Sequence, residues 1–283
     1  MLALIAGRGM LPVLLDAALR AGGRAHRVFR MADTAVEPPL ADAPELRLER
    51  LGGFLDSAAR QGITEVCMAG GIARPSLDRA RLDGATGPLL GEIERALGLG
   101  DGGALAVVVS LFERRGLRVV GAQEICPGLL PGPGVASAAR PGATDRENAR
   151  RGVRLLMRLG PADLGQACVV ARGQVQAVEA APGTDFMLAS LARGGRDTDA
   201  AAGGAAGVAA DVAAGGVLVK MPKPDQDRRV DLPTIGPATV SGAHAAGLAG
   251  IVIESGGVLV LEREEVVARC NDAGMFLWVR ERD

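Results

Sequence analysis

Short apolar runs and amphipathic stretches take turns along most of the chain. Leu2–Ala6 is an apolar run of strand length, 25–30, Glu65–Ala69 and 117–120 read as further strands, and 11–20, 54–61, 88–97 and 104–115 carry apolar residues at helical spacing. Strand and helix in alternation predict the βαβ rhythm of a parallel sheet. Farther on, 145–159 predicts a helix with Ala149, Val153, Leu156 and Leu159 on one face. Residues 169–171 and 175–178 around Arg172-Gly173 predict a β-hairpin, and 217–219 a buried strand. A helix over 237–246, a second hairpin from 251–253 and 258–261, a helix over 264–271 and a closing strand over 275–279 complete the pattern. Between the halves, Pro127, Pro131, Pro133 and Pro141 stand among glycines with almost no charge. The expected fold class is α/β in two domains: a Rossmann-like parallel-sheet domain over 1–130, a linker over 131–144, and a mixed α/β catalytic domain over 145–283.

Composition narrows the function classes. A net charge of −1 removes the basic field that a nucleic-acid partner requires, and 2% aromatic residues offer few platforms for stacking bases. Cys67, Cys126, Cys168 and Cys270 form no CxxC pair, and three of them sit in or beside apolar runs as small hydrophobes of a reducing compartment. The N-terminus lacks the basic segment of a signal peptide, and no apolar run approaches the length of a spanning helix, so a cytoplasmic location is expected. With two histidines in the chain, hydrolytic chemistry would fall to carboxylates, Lys and Arg.

Residues 220–236 are the least ordinary stretch. Lys220 and Lys223 are the only lysines among 32 basic residues, the rest being Arg. A compact ammonium approaches a single phosphate oxygen or titrates, which a guanidinium does poorly. Pro222, Pro224 and Pro233 stiffen the loop. Asp231, beside Arg229 and ahead of Leu232-Pro233, has little backbone freedom; in an extended segment Val230 and Leu232 would turn inward while Asp231 faces a cleft. Gly7 and Gly9, between a strand and a helix, form a potential phosphate turn lacking its third glycine, with Pro12 in that place. Arg74, past the glycines that end the strand Glu65–Ala69, is a phosphate ligand or a surface residue. Glu179 and Asp185 are candidates for Mg²⁺, although Thr184 and Asp185 also suit a helix N-cap. Three classes remain open: a phosphate-ester or pyrophosphate hydrolase, with Asp185 and Asp231 on a metal and Lys220, Lys223 and Arg229 as clamps; a nucleotide-dependent oxidoreductase; and a non-catalytic ligand-binding protein.

The motifs Leu4-Ile-Ala-Gly7, Gly9, Leu11-Pro12, Ala69-Gly70, Arg74-Pro75, Gly121-Ala122, Glu124, Gly183-Thr184-Asp185, Lys223-Pro224, Gln226 and Arg229 to Gly236 carry a resemblance. The chain resembles the LpxI family, the UDP-2,3-diacylglucosamine pyrophosphatases of lipid A biosynthesis, along nearly its whole length. The resemblance implies Mg²⁺-dependent hydrolysis to UMP and the diacylated sugar 1-phosphate, with an essential Asp that falls on Asp231. Lys223 and Arg229 would join it in catalysis. Gly7, Gly9, Leu11, Pro12, Gly71, Arg74, Gly121, Ala122, Gln123, Glu124, Thr184, Lys220, Gln226 and Thr234 would bind substrate; Asp231, Asp185 and Glu179 would hold the metal. The lipid substrate implies an apolar tunnel or groove and loose attachment to the inner-membrane surface, and a homodimer is carried with it as an expectation. The chain departs from the family's pattern at Gly71, Gly102 and Gln123, where the family has Asn, an acidic residue and His, and in the Ala/Gly run within 200–214.

Overall fold

The computed structural model describes residues 1–72, 76–194 and 213–282. Two compact units divide the chain, Met1–Gly128 with Asp227–Asp231, and Leu129–Gln226 with Leu232–Asp283. In the first unit β1 (Leu2–Ala6), α1 (Met10–Ala21), β2 (His26–Met31), β3 (Glu45–Leu46), α2 (Leu51–Arg60) and β4 (Glu65–Ala69) follow in order. Then come α3 (Leu90–Leu97), α4 (Asp101–Arg114), β5 (Arg118–Val119) and α5 (Ala122–Ile125). The five strands pair in the order β3-β2-β1-β4-β5, every pair parallel. All five residues of β1 are buried, as a central parallel strand covered on both faces demands.

The chain winds outward from β1 to β3 and resumes on the other side with β4. The strand order therefore reverses at the carboxyl ends of β1 and β4, where open α/β sheets place their ligands. These two ends approach each other closely. Arg8 N–H donates to Gly71 O (2.7 Å), Gly71 N–H to Arg8 O (3.0 Å), and Gly7 N–H to Ala69 O (2.8 Å). Gly70 has φ of 89°, and a Cβ there would lie 2.6 Å from Arg8 O, so only glycine fits.

The second unit holds β6 (Gly134–Val135), α6 (Ala143–Leu159), β7 (Ala167–Ala171), β8 (Gln174–Val178), α7 (Thr184–Gly194) and β9 (Val217–Lys220). It continues with β10 (Thr234–Ile235), α8 (Pro237–Ala245), β11 (Gly250–Glu254), β12 (Leu259–Val260), α9 (Arg263–Asp272) and β13 (Phe276–Arg280). Its main sheet runs β6-β13-β11-β9-β7-β8 and mixes parallel and antiparallel pairs. Alternate residues feed two cores. Val169, Leu218, Ile251 and Ile253 meet Leu188, Val240 and Val266 from α7, α8 and α9, while Cys168, Val170, Val217 and Val219 meet Ala149 and Leu156 of α6. Burial on both sides raises the Cys168 thiol to about 12.

The first expected hairpin forms: Ala171 pairs with Gln174 across Arg172 and Gly173, both at positive φ. The second does not. β11 lies in the main sheet between β9 and β13, whereas β12 pairs in parallel with β10. The glycines at 256–257 turn the chain, but the exposed ladder of Thr234–Ile235 captures the strand that follows. Within the Pro/Gly-rich stretch, Gly134–Val135 adds an antiparallel edge strand to β13, and Leu277 N–H donates to Ser137 Oγ (2.7 Å).

Candidate functional site

Asp227–Asp231 belongs to the first unit although its neighbours in sequence belong to the second. The N–H groups of Val230 and Asp231 both donate to Asp227 O (3.1 Å each), so the segment is a turn and not the extended strand expected around Asp231. Val230 packs against the apolar core of the first unit. Arg229 Nε and Nη2 donate to the two oxygens of Asp227 (3.0 and 2.7 Å), and Nη1 donates to Glu113 Oε1 of α4 (2.7 Å). The Arg229 hydrogen bonds hold the Asp227 carboxyl below its ordinary value, and the two carboxylates push the guanidinium the other way, above its own. Gln123 Nε2 donates to Arg228 O (3.0 Å) and holds the turn from another side. Arg229, expected as a clamp on phosphate, is thus engaged in fixing the turn that carries Asp231.

Asp231 stands on the wall of a cavity of about 380 Å³ in the first unit. The cavity lies at the carboxyl end of the parallel sheet, with Ile5, Met68, Gly70 and Gly71 on one side and residues of α3 and α4 on the other. Arg47 and Asp231 are its charged lining residues. Of its lining residues, Gly71 and Asp231 are the two that the sequence offers as candidate site residues. A signal existed: every residue from Ala104 to Phe112 except Ser110 is apolar, more than one buried stripe can use. Val109, Leu111 and Phe112 fill the core, which leaves Ala104, Leu105 and Val108 half-buried along the cavity.

In the second unit Lys220 ends β9 fully enclosed, 7% exposed. Its Nζ donates to Thr184 Oγ1 (2.7 Å), whose hydroxyl donates to Glu179 Oε1 (3.0 Å); Glu179 Oε2 accepts from Gln166 N–H (3.1 Å). Burial lowers the Lys220 pKa, opposed by the charges of Glu179 and Asp185. The two carboxylates expected on Mg²⁺ are therefore counter-charges to a buried ammonium. Among the described residues no group of three or more His, Cys, Asp or Glu is gathered as a metal site.

Lys223 pairs with Asp163 Oδ1 (2.5 Å), and its N–H donates to Gln226 Oε1 (2.8 Å), while Gln226 Nε2 is buried without a protein partner. Thr234 Oγ1 donates to Leu232 O (3.3 Å). Gly7 lends its N–H to the joint between β1 and β4, Gly9 precedes α1 at φ of 89°, and Leu11 and Pro12 lie in the first turn of that helix. At α5, Gly121 N–H donates to Glu124 Oε1 (2.8 Å), which together with Arg118 holds the Glu124 carboxyl below its ordinary value; Ala122 is buried behind it. Arg74 and most of the Ala/Gly run lie outside the described residues.

Two family models match, the LpxI N-terminal domain over residues 1–129 and the LpxI C-terminal domain over 132–278. A protein of Caulobacter vibrioides named UDP-2,3-diacylglucosamine pyrophosphatase LpxI is 37% identical over 278 residues, covering 98% of this chain and 96% of its own. These matches correct the reaction expected from sequence. The relative's name gives a pyrophosphatase and carries no magnesium requirement, and it overturns the alternatives of an oxidoreductase and a non-catalytic nucleotide-sugar binder. Two domain models that together span the chain, and one relative matched from end to end, establish that this chain belongs to the LpxI family.

Proposed function

We propose that this chain hydrolyses the pyrophosphate bond of UDP-2,3-diacylglucosamine, the compound in its relative's name. One observation supports the reading most: Asp231 lines an apolar cavity, on a turn that Arg229 and Gln123 hold. A substrate that joins a charged anhydride to alkyl chains needs such a meeting of polar and apolar surface. Asp231 accepts the proton of the attacking water, and a positioned base of this kind contributes about 10² to 10⁴ in rate. Lys223 offers a point charge to a phosphate oxygen. Arg229 is reassigned from clamp to positioning residue, because its hydrogen bonds hold the turn. The lipid substrate brings the protein to the inner-membrane surface; among the described residues no helix is long and apolar enough to cross a membrane.

The test is Asp231→Ala, compared with wild type for melting temperature and for single-turnover release of UMP from UDP-2,3-diacylglucosamine. Unchanged melting with turnover down by about 10² to 10⁴ is the expected result. A variant that hydrolyses within a few-fold of wild type removes Asp231 from the chemistry.

A further inference from the structure

Helix α6 is one-sided in charge as well as in hydrophobicity. Ala149, Gly152 and Leu156 are buried on the sheet side, where a Cβ on Gly152 would run into Val219, so the face turned outward is fixed. On that outer face Arg146, Arg150, Arg151, Arg154 and Arg158 are exposed, against one exposed acid, Glu147. The other acid of the helix, Asp145, is half-buried and accepts from Gly142 N–H (2.8 Å) at the helix start. Glu147 accepts from Arg150 (2.8 Å) and Arg154 (3.5 Å), and Arg146 lies over the Trp278 ring at 5.1 Å. Arg151 and Arg158 make no ion pair among the described residues. Five arginines against Glu147 leave a surplus of four positive charges on this face, in a chain whose net charge is −1. Asn148 Oδ1 accepts from Gly173 N–H (2.9 Å), which brings the tip of the β7–β8 hairpin, with exposed Arg172, beside the helix. Met157, three residues past Arg154, is 45% exposed among these charges.

We propose that the outer face of α6 docks the protein on a bilayer of anionic lipid, an inference that rests on the lipid-substrate reading above. The chemistry fits that partner. A guanidinium fork matches the oxygens of a phosphate, and a row of them along one helix suits headgroups spread over a surface. An apolar side chain between basic ones can enter the boundary between headgroups and acyl chains, as Met157 is placed to do while the arginines stay at the phosphates. The sheet side of α6 is already covered, so the helix lies on the bilayer as a fixed part of the second unit and no segment has to unfold. A nucleic acid also carries phosphates, but with 2% aromatic residues the chain offers few platforms for bases.

The full-length protein is mixed with sucrose-loaded vesicles of phosphatidylglycerol and phosphatidylcholine in equal parts, or of phosphatidylcholine alone, and the sedimented fraction is measured. Binding is expected to the mixed vesicles, weaker by at least about tenfold to the neutral ones, and to fall as salt is added. Each arginine at the surface contributes about a fivefold gain, the equivalent of about 1 kcal/mol, so Arg151→Gln with Arg158→Gln should cost about 25-fold. Arg60→Gln with Arg263→Gln removes the same charge from exposed positions elsewhere and should cost little. Melting temperatures of both double variants are expected to match wild type, since all four side chains are exposed. Wild type that ignores the mixed vesicles, or equal losses in the two double variants, overturns the proposal. Unbound vesicles together with single-stranded RNA held through Arg151 and Arg158 would give the face to nucleic acid and overturn it too. Turnover of UDP-2,3-diacylglucosamine in detergent micelles, where no bilayer is needed, is measured on the same samples. Hydrolysis without vesicle binding refutes the docking face and spares the enzyme, whereas binding lost with Arg151 and Arg158 but no hydrolysis by wild type supports the face and refutes the enzymatic reading.

Discussion

Replacing Arg229 by Met separates the positioning of Asp231 from the stability of the fold. The substitution removes two side-chain hydrogen bonds to Asp227 and one to Glu113, and leaves Val230 in place against the core. The guanidinium is 39% exposed and its partners Asp227 and Glu113 are 31% and 47% exposed, so solvent screens each pair. Exposed pairs contribute about 0.2 to 1 kcal/mol each, which predicts a total loss of about 1 kcal/mol. At this chain length that lowers the melting temperature by about 2 to 4 °C. The effect on turnover should be much larger. Without the Glu113 tether the turn at 227–231 keeps its own backbone bonds but loses a fixed place on α4, and a displacement of about 1 Å costs about a hundredfold in rate. Arg229→Lys restores charge but not the planar fork that reaches both oxygens of Asp227, so it should recover stability more than turnover. The assay pairs thermal melts with kcat and KM for UDP-2,3-diacylglucosamine. An Arg229→Met protein that melts a few degrees lower and turns over within about threefold of wild type refutes the positioning argument.

Three further outcomes follow from the geometry. Gly70→Ala should destabilise the first unit by about 1 to 3 kcal/mol, because φ of 89° and a 2.6 Å contact with Arg8 O both oppose a side chain, whereas Gly84→Ala, with open space around it, should not; chemical denaturation of the two variants makes the comparison. Lys220→Met leaves Glu179 and Asp185 without their cation and should cost about 3 to 5 kcal/mol; adding Glu179→Gln should return part of it, and a double variant no more stable than Lys220→Met would count against the charge account. Glu65 is held below its ordinary value of 4.5 chiefly by its bonds to Arg24 and Arg118. A depressed folded-state pKa stabilises above the unfolded value and loses that contribution as pH falls through the folded one, so the melting temperature should fall below about pH 4.5, less steeply in Glu65→Gln. Identical acid slopes for the two proteins would remove Glu65 from the cause.

Local pattern determined a great deal about this protein. Leu2–Ala6 and, after its first residue, Glu65–Ala69 are strands in which every second and every intervening residue is apolar, which suits a sheet covered on both faces. Arg172-Gly173 makes its hairpin because two residues at positive φ turn a twisted pair of strands without outside help. The motif from Arg229 to Gly236 carried the family in its residue order alone. Tertiary structure decided whatever depended on a partner remote in sequence. β12 chose β10 over β11, although the turn between β11 and β12 is well formed, because strand pairing is settled by which ladder stands open nearby. The bond from Arg229 to Glu113 spans more than a hundred residues, and no local rule anticipates it. The cavity is the extreme case: it is the space left over when β1, β4, α3, α4 and the turn at Asp231 have packed, and an unfilled volume has no sequence of its own.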